Sequence, residues 1–194
     1  MAPLHPALEK VRRCNWRPGL LGLESEAMFN ASAISVRPSS ARSAVALAGW
    51  VAVTFAAAAM GGLFLPGDWY ARLQKPAWNP PNWIFGPVWT ALYTIMAVTA
   101  WLVWKRGGFA GQRGALLLFL LQLLFNALWS PLFFGLHRPG LAFVDLMLLW
   151  LTLLATIAAF WKARRFAGAM LLPYLAWITF AGALNFAIWR LNPS

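Results

Sequence analysis

The chain has 194 residues, of which 61% are hydrophobic and only 11% are charged, and its mean hydropathy is +0.62. Ordinary soluble domains are about 25% charged, so this composition excludes that class and indicates a protein of the lipid bilayer. Cys14 is the single cysteine, which excludes a disulfide scaffold. From residue 44 onward the acidic residues are Asp68 and Asp145 and the one histidine is His137, so we expect no metal site.

The net charge of +11 would suit a nucleic-acid partner, but basic residues of the body flank apolar runs that are too long for a soluble fold. We therefore expect no nucleic acid and assign these charges to membrane flanks. In the connections, eight Lys and Arg residues lie on the side of the amino terminus and four on the other side. This excess predicts that the amino terminus faces the cytoplasm.

Residues 1–43 differ from the rest, because they combine several arginines with a Ser-rich stretch over residues 32–43. They contain no apolar run long enough for a signal peptide. A disordered extension, an organelle transit segment and an upstream extension of the reading frame, with Met28 as the real start, all fit this composition. Glutamates in this segment count against a transit peptide. Residues 44–194 are predicted to form one transmembrane domain.

Five apolar stretches reach the roughly 20 residues that a helix needs to cross a bilayer. None contains Lys, Arg or Glu, and each is bounded by Pro, Gly or basic residues, which are helix-stop and interface signals. Continuous apolar runs exclude the alternating pattern of a membrane β-barrel. The sequence therefore predicts an all-α membrane protein, a bundle of five transmembrane helices over residues 44–65, 85–104, 115–136, 141–161 and 167–189.

The connection over residues 66–84 is rich in aromatic residues and prolines, unlike a flexible linker. Prolines restrict the conformations available to the loop, and amphipathic rings can lie over an opening near the membrane surface. This pattern favours a semi-rigid lid, although an interfacial aromatic belt also explains it. The predicted lid residues are Trp69, Trp78, Pro80, Pro81 and Trp83.

Polar and aromatic side chains recur at steps of three and four residues on the predicted helices, near the ends that share a side with the lid. Buried amides and carboxylates avoid lipid, so these stripes should face inward and meet beneath the loop. They define a predicted small-molecule pocket. Interhelical hydrogen bonding and core packing remain the alternative for each residue alone. The residues are Trp89, Tyr93, Asn126, Trp129, Asp145, Trp177 and Asn185.

Four segments together resemble the TspO/MBR family, which includes the translocator protein or peripheral benzodiazepine receptor and the bacterial tryptophan-rich sensory proteins. They are WYARLQKPAWNPPNWIFGPVWTALYTIMA, QLLFNALWSPLFF, VDLMLL and PYLAWITFAGALNFAIWRLN. The match spans roughly residues 44–192 in order. The resemblance implies a five-helix bundle that forms homodimers and binds protoporphyrin IX or a haem-type tetrapyrrole, with no required cofactor. It also implies binding of benzodiazepine-type ligands and, in animal members, cholesterol.

The resemblance also implies roles for individual residues. The family's porphyrin-pocket tryptophans match Trp89 and Trp177, which are also the candidates for a light- and oxygen-dependent degradation of the porphyrin. Further positions that line or border the family's pocket match Tyr70, Asn126, Trp129, Asp145 and Ala181. Phe186 stands where the cholesterol pattern of animal members has a tyrosine, which weakens the expectation of sterol binding.

Three functions follow from the resemblance. The leading prediction is a multi-pass membrane receptor or sensor that binds tetrapyrroles and regulates their metabolism or a stress response. Photo-oxidative porphyrin degradation, and transport of porphyrin or sterol, are the alternatives. Since no hydrolytic or phosphoryl-transfer motif is present, we expect a receptor rather than an enzyme. A bacterial envelope membrane is predicted in preference to the mitochondrial outer membrane.

Overall fold

The computed structural model of the protein describes residues 39–193. Within them it consists of helices and connecting segments without a β-strand. The predictions for the amino-terminal extension fall on residues outside this range, except at its end. There the first spanning helix begins at Ser40 rather than at residue 44, because the Ser39 hydroxyl accepts a hydrogen bond from the Arg42 amide and caps the helix.

Five helices in this range are long and apolar enough to cross a membrane, which confirms the predicted five-helix fold. We call them α1 to α5. Their bounds are Ser40–Gly62 (α1), Phe85–Trp104 (α2), Arg113–Ser130 (α3), Pro139–Ala163 (α4) and Leu172–Leu191 (α5). The predicted bounds of α2 agree with the structure at both ends.

Two predicted helices are interrupted in the structure. After Ser130 the chain widens into a π-helical turn, Pro131–Gly135, because a proline cannot donate the backbone hydrogen bond that would continue the α-helix. The segment before α5 forms a separate short helix, Arg165–Met170, and α5 restarts with Pro173 in its first turn. The predicted spans over residues 115–136 and 167–189 are confirmed as Arg113–Gly135 and Arg165–Leu191, each with one irregular turn inside it.

The half of the bundle remote from the loop at residues 63–84 is tightly filled. Phe119 of α3 stacks on Phe160 of α4 at 5.8 Å and meets Trp50 of α1 edge to face at 5.6 Å. Met96 and Leu153 are fully buried in the same cluster. This packed half holds the helices in place below the half that contains the cavity.

Helix α1 lies at the edge of the bundle, and its neighbours change along its length. Near its start, the Trp101 indole of α2 donates a hydrogen bond to the Ser43 carbonyl at 2.9 Å. Near its end it approaches α3 instead, where a Cβ added to Gly61 would lie 3.2 Å from the Ser130 hydroxyl. Helix α1 is therefore held against α2 at one end and against α3 at the other.

The connection between α1 and α2 is structured. It contains a short helix, Asp68–Arg72, and a 3-10 turn, Asn82–Ile84, that leads directly into α2. Its middle is joined to the end of α5 by a reciprocal pair of hydrogen bonds. The Gln74 amide donates to Asn192 Oδ1, and Asn192 Nδ2 donates to the Gln74 carbonyl, both at 2.9 Å.

Candidate functional site

A cavity of about 620 Å³ occupies the half of the bundle that lies next to the 63–84 connection. All five helices line it: the end of α1, the start of α2, the end of α3, the first half of α4 and α5 from Trp177 to Ile188. This is the side on which the sequence placed the converging stripes. The volume is within the range of small-molecule sites, roughly 300–1,000 Å³.

Aromatic rings form most of the cavity wall. Trp89 lies against Tyr93 with ring centroids 5.4 Å apart, and Trp177 meets Phe85 edge to face at 5.7 Å. On the α3 side, Trp129 stacks on Phe133 at 5.0 Å. Because each ring is held by another ring, the wall presents fixed apolar surfaces.

A chain of hydrogen bonds runs behind this wall and joins three helices. The Tyr93 hydroxyl of α2 donates to Asn126 Oδ1 of α3 at 2.5 Å, and Asn126 Nδ2 donates to the Tyr174 hydroxyl of α5 at 2.9 Å. Tyr174 in turn donates to Gln122 Oε1 at 3.1 Å. Since all four residues are buried, these bonds satisfy groups that would otherwise be costly in a membrane interior.

A second polar pair fixes the opposite wall. The Trp129 indole donates to Asn185 Oδ1 at 3.0 Å, and Asn185 Nδ2 donates to the Pro139 carbonyl at the start of α4 at 2.8 Å. The oxygen and the nitrogen of the Asn185 side-chain amide are therefore both bonded within the protein. Asn126 and Asn185 line the cavity and also join helices. The two roles that the sequence left as alternatives, lining a pocket and bonding between helices, are therefore both present at these two positions.

Trp177 differs from the other wall residues in one respect. Its indole Nε1 is buried and has no hydrogen-bond partner. An unpaired, buried N–H carries a desolvation cost. The indole of Trp177 thus contains a donor that the protein does not satisfy.

Asp145 is placed differently from the prediction. It is buried in α4, but it is not among the residues that line the cavity, whereas its neighbours Leu146 and Leu149 are. Its Oδ2 has no hydrogen-bond partner. The spacing of residues correctly predicted that Asp145 lies on the buried face of α4. It did not show which residues of that face reach the cavity.

Tyr70 is the aromatic residue of the short loop helix that lines the cavity. The Lys75 ammonium lies 4.5 Å from the centre of its ring and donates to the carbonyls of Ala71 and Leu73. Burial raises the pKa of the Tyr70 phenol above its usual value. The phenol is therefore neutral at physiological pH, and Lys75 contributes to the loop rather than to the cavity wall.

The predicted lid residues do not line the cavity. Trp69 stacks on His137 at 4.3 Å and meets Phe133 from outside, and Trp78 lies beside Phe180 at 5.9 Å. Trp83 is 75% exposed. The residues of this connection that reach the cavity are Phe64, Leu65, Pro66, Tyr70 and Asn82.

Most of the predicted ligand-binding residues are brought together around this one cavity. These are Tyr70, Trp89, Tyr93, Asn126, Trp129, Trp177, Ala181 and Asn185. Gly182, beside Ala181, is used for helix approach, because an added Cβ would lie 3.2 Å from Leu146 and Met147 of α4.

The sequence interpretation missed the contribution of α1 and several phenylalanines. None of these positions carries a polar signal, and Phe or Ala in a spanning helix is equally typical of a lipid-facing surface. The lining residues missed in this way are Phe55, Ala58, Ala59, Gly61, Gly62, Phe64, Phe85 and Phe134. Among residues 39–193, no three His, Cys, Asp or Glu side chains are grouped so that they could hold a metal ion.

The fold and the cavity define a class: an integral multi-pass membrane protein with an aromatic, ligand-sized cavity lined by five helices. The sequence pattern of the TspO/MBR family matches residues 46–190. The chain belongs to the TspO/MBR family, as the resemblance predicted.

Three relatives illustrate the similarity. Protein CrtK of Rhodobacter capsulatus is 45% identical over 71% of this chain and 86% of its own length. The tryptophan-rich sensory protein of Cereibacter sphaeroides is 43% identical over 74% and 89%, respectively. The human translocator protein is 44% identical over 69% of this chain and 82% of its own.

Proposed function

We propose that the protein is a membrane receptor that binds a tetrapyrrole such as protoporphyrin IX in the cavity beneath the 63–84 connection. The observation that carries this proposal is the cavity itself, which has a volume of about 620 Å³ and walls formed by Trp89, Trp129 and Trp177. A planar apolar macrocycle can stack on such rings and displaces water from apolar surface when it does so.

The charge distribution fits an amphiphilic ligand in one orientation. No Lys, Arg, Asp or Glu is among the lining residues, so the carboxylate arms of a porphyrin have no charged partner inside the cavity. A buried, unpaired carboxylate is strongly unfavourable. The macrocycle therefore occupies the cavity while its arms point out toward water at the membrane surface. In this orientation the arms do not pair with Lys75, because its ammonium donates to two backbone carbonyls of the loop.

The names of the relatives support a role in sensing or translocation rather than in metabolism of a soluble substrate. One is called a tryptophan-rich sensory protein and another a translocator protein. In this proposal occupancy of the cavity by the tetrapyrrole is the signal. The bacterial relatives favour a bacterial envelope membrane, and a homodimer and sterol as a further ligand remain predictions from the family resemblance.

A titration of the purified protein in detergent with protoporphyrin IX tests the proposal. Tryptophan quenching and the porphyrin's absorption band should both saturate at micromolar ligand. Replacing Trp89 or Trp177 by Ala should raise Kd about tenfold each, or about 1.4 kcal/mol, since each ring supplies a stacking surface. The matched control is Trp83→Ala, which removes an exposed tryptophan outside the cavity and should leave Kd unchanged.

Two results would reject the receptor proposal. The first is linear, non-saturable quenching by the wild type. The second is equal loss of affinity in all three variants, which would show that the porphyrin dissolves around the protein instead of stacking in the cavity. Thermal unfolding of each variant without ligand separates loss of binding from loss of structure.

A further inference from the structure

The cavity is open on one side, between α1 and α2. Cavity-lining residues with exposed surface line both edges of this opening. On the α1 edge they are Phe55, Ala59, Gly62, Leu65 and Pro66, and on the α2 edge they are Asn82, Gly86 and Thr90. We call this opening the slot. Asn82 and Thr90 are eight residues apart, so the α2 edge is about 12 Å long at 1.5 Å per residue.

The contacts of α1 explain why the helices separate there. The Trp101–Ser43 hydrogen bond joins α1 to α2 at the remote end of the bundle. At the cavity end α1 turns to α3, where Gly61 approaches Ser130. Just beyond it, a Cβ on Gly135 would be only 2.8 Å from the Phe64 ring. The end of α1 is therefore drawn toward α3, which leaves a gap between α1 and α2.

A glycine lies on each edge of the slot. A Cβ added to Gly62 or to Gly86 would meet no atom within 4 Å, so both positions border open space. The Thr90 hydroxyl donates to the Gly86 carbonyl at 2.9 Å and is therefore already bonded within α2. Since α1 and α2 are spanning helices, a gap between them below Asn82 faces acyl chains rather than water.

The connection above the cavity is closed by specific contacts. Asn192 holds the Gln74 backbone by two hydrogen bonds, and Trp69 is stacked on His137. Tyr70 is buried between the cavity and Lys75. These contacts hold the connection over the cavity, whereas a ligand dissolved in the membrane meets the slot already open.

We propose that apolar and amphiphilic ligands enter and leave the cavity laterally, from the membrane leaflet, through the slot between α1 and α2. The identity of the ligand rests on the function proposed above, while the route rests on the geometry of the slot. The ligand's polar end stays near Asn82 at the membrane surface while its apolar part slides between Gly62 and Gly86. The protein thus samples a ligand pool dissolved in the bilayer.

Narrowing the slot provides the test. Gly62→Leu and Gly86→Leu place side chains in open space at its two edges, and Leu favours the helix more than Gly does. In nanodiscs loaded with protoporphyrin IX, each variant should slow both association and dissociation about tenfold, because a narrower route raises the barrier in both directions.

Two further variants make the result specific. Gly49→Leu also adds a side chain to an exposed, open position on α1, but away from the cavity, and should leave both rates unchanged. Asn192→Ala releases the connection and should not accelerate exchange. Faster exchange in Asn192→Ala, together with normal rates in the slot variants, would overturn the lateral route and indicate passage through the connection.

A readout without porphyrin separates the route from the proposed ligand. Phospholipids with dibrominated acyl chains quench tryptophans that the chains reach. The difference in quenching between the wild type and Trp89→Phe is due to Trp89 and reports acyl chains inside the cavity. This contribution of Trp89 should fall in Gly86→Leu but not in Gly49→Leu. Undiminished quenching of Trp89 in the slot variants would reject the slot even if protoporphyrin itself does not bind.

Discussion

Trp129 and Trp177 line the same cavity, but their indole N–H groups have different surroundings. The Trp129 N–H donates to Asn185, while the Trp177 N–H has no partner. Replacement of either by Phe removes a similar volume, yet only Trp129→Phe leaves Asn185 Oδ1 without its donor. We expect Trp129→Phe to be less stable than Trp177→Phe by about 1 kcal/mol.

Unfolding of both variants in mixed micelles, followed by circular dichroism, measures this difference. Ring volume cancels in the comparison, so the difference reports the hydrogen bond. Equal stability of the two variants would show that the Trp129–Asn185 bond contributes nothing in the membrane, as an amide and an indole can find other partners in the unfolded state.

The identity of the cavity residues was predictable where a polar or Trp residue broke an apolar pattern. Asn126 and Asn185 were found in this way, because an amide facing lipid is penalised. Tyr174, which bonds to Asn126 behind the cavity wall, was missed although it lies three residues before Trp177, on the same face of α5. Asp145 was assigned to the cavity because spacing reports only a helix face, and the depth at which α4 reaches the cavity depends on its packing.

Glycines set how closely the helices and their connections approach. Gly168, in the short helix before α5, lies so close to α4 that a Cβ would be 2.9 Å from the Trp161 backbone nitrogen. Backbone cannot move aside as a side chain can. We expect Gly168→Ala to lower the free energy of unfolding by about 1–3 kcal/mol, and Gly49→Ala on the open face of α1 to raise it by about 0.5–1 kcal/mol.

Opposite signs in these two Gly→Ala variants are the diagnostic outcome, again measured by unfolding in micelles. A stabilised Gly168→Ala would mean that the turn between α4 and α5 relaxes freely, so that the close approach is not required by the fold.

Spanning helices were predictable because hydropathy over 20 residues has few interpretations in this composition. Their interruptions were not. At the π turn, the Leu136 and Arg138 amides donate to the carbonyls of Pro131 and Leu132, and hydropathy does not report such local bonds. The start of α1 was placed late because the Ser39 cap lies in a Ser-rich stretch that also resembles an unstructured tail.

At the scale of the whole molecule, the position of the loop-side cavity followed from helix direction alone, since alternate helix ends share a membrane side. The participation of α1 did not follow. Its Ala and Gly residues are compatible with a lipid-facing surface, a helix contact or the edge of an opening. In the structure Gly61 makes a helix contact with α3, and Gly62 lies at the edge of the opening. The slot arises from the pairing of α1 with α2 and α3, which is a property of the bundle and of no single segment.

The longest-range polar contact of the described chain joins Gln74 to Asn192, 118 residues apart. Asn192→Ala removes the acceptor for the Gln74 amide, so we expect that amide to exchange with solvent deuterium at least about tenfold faster, as expected when a locally protecting bond is lost. Fragmentation mass spectrometry of the peptide spanning residues 73–79 resolves the position. The Asn79 amide, bonded to the Pro76 carbonyl at 2.9 Å, is the internal control and should keep its rate. Unchanged exchange at Gln74 would show that the connection is held by its aromatic contacts with Phe133 and His137, and that α5 does not hold it in place.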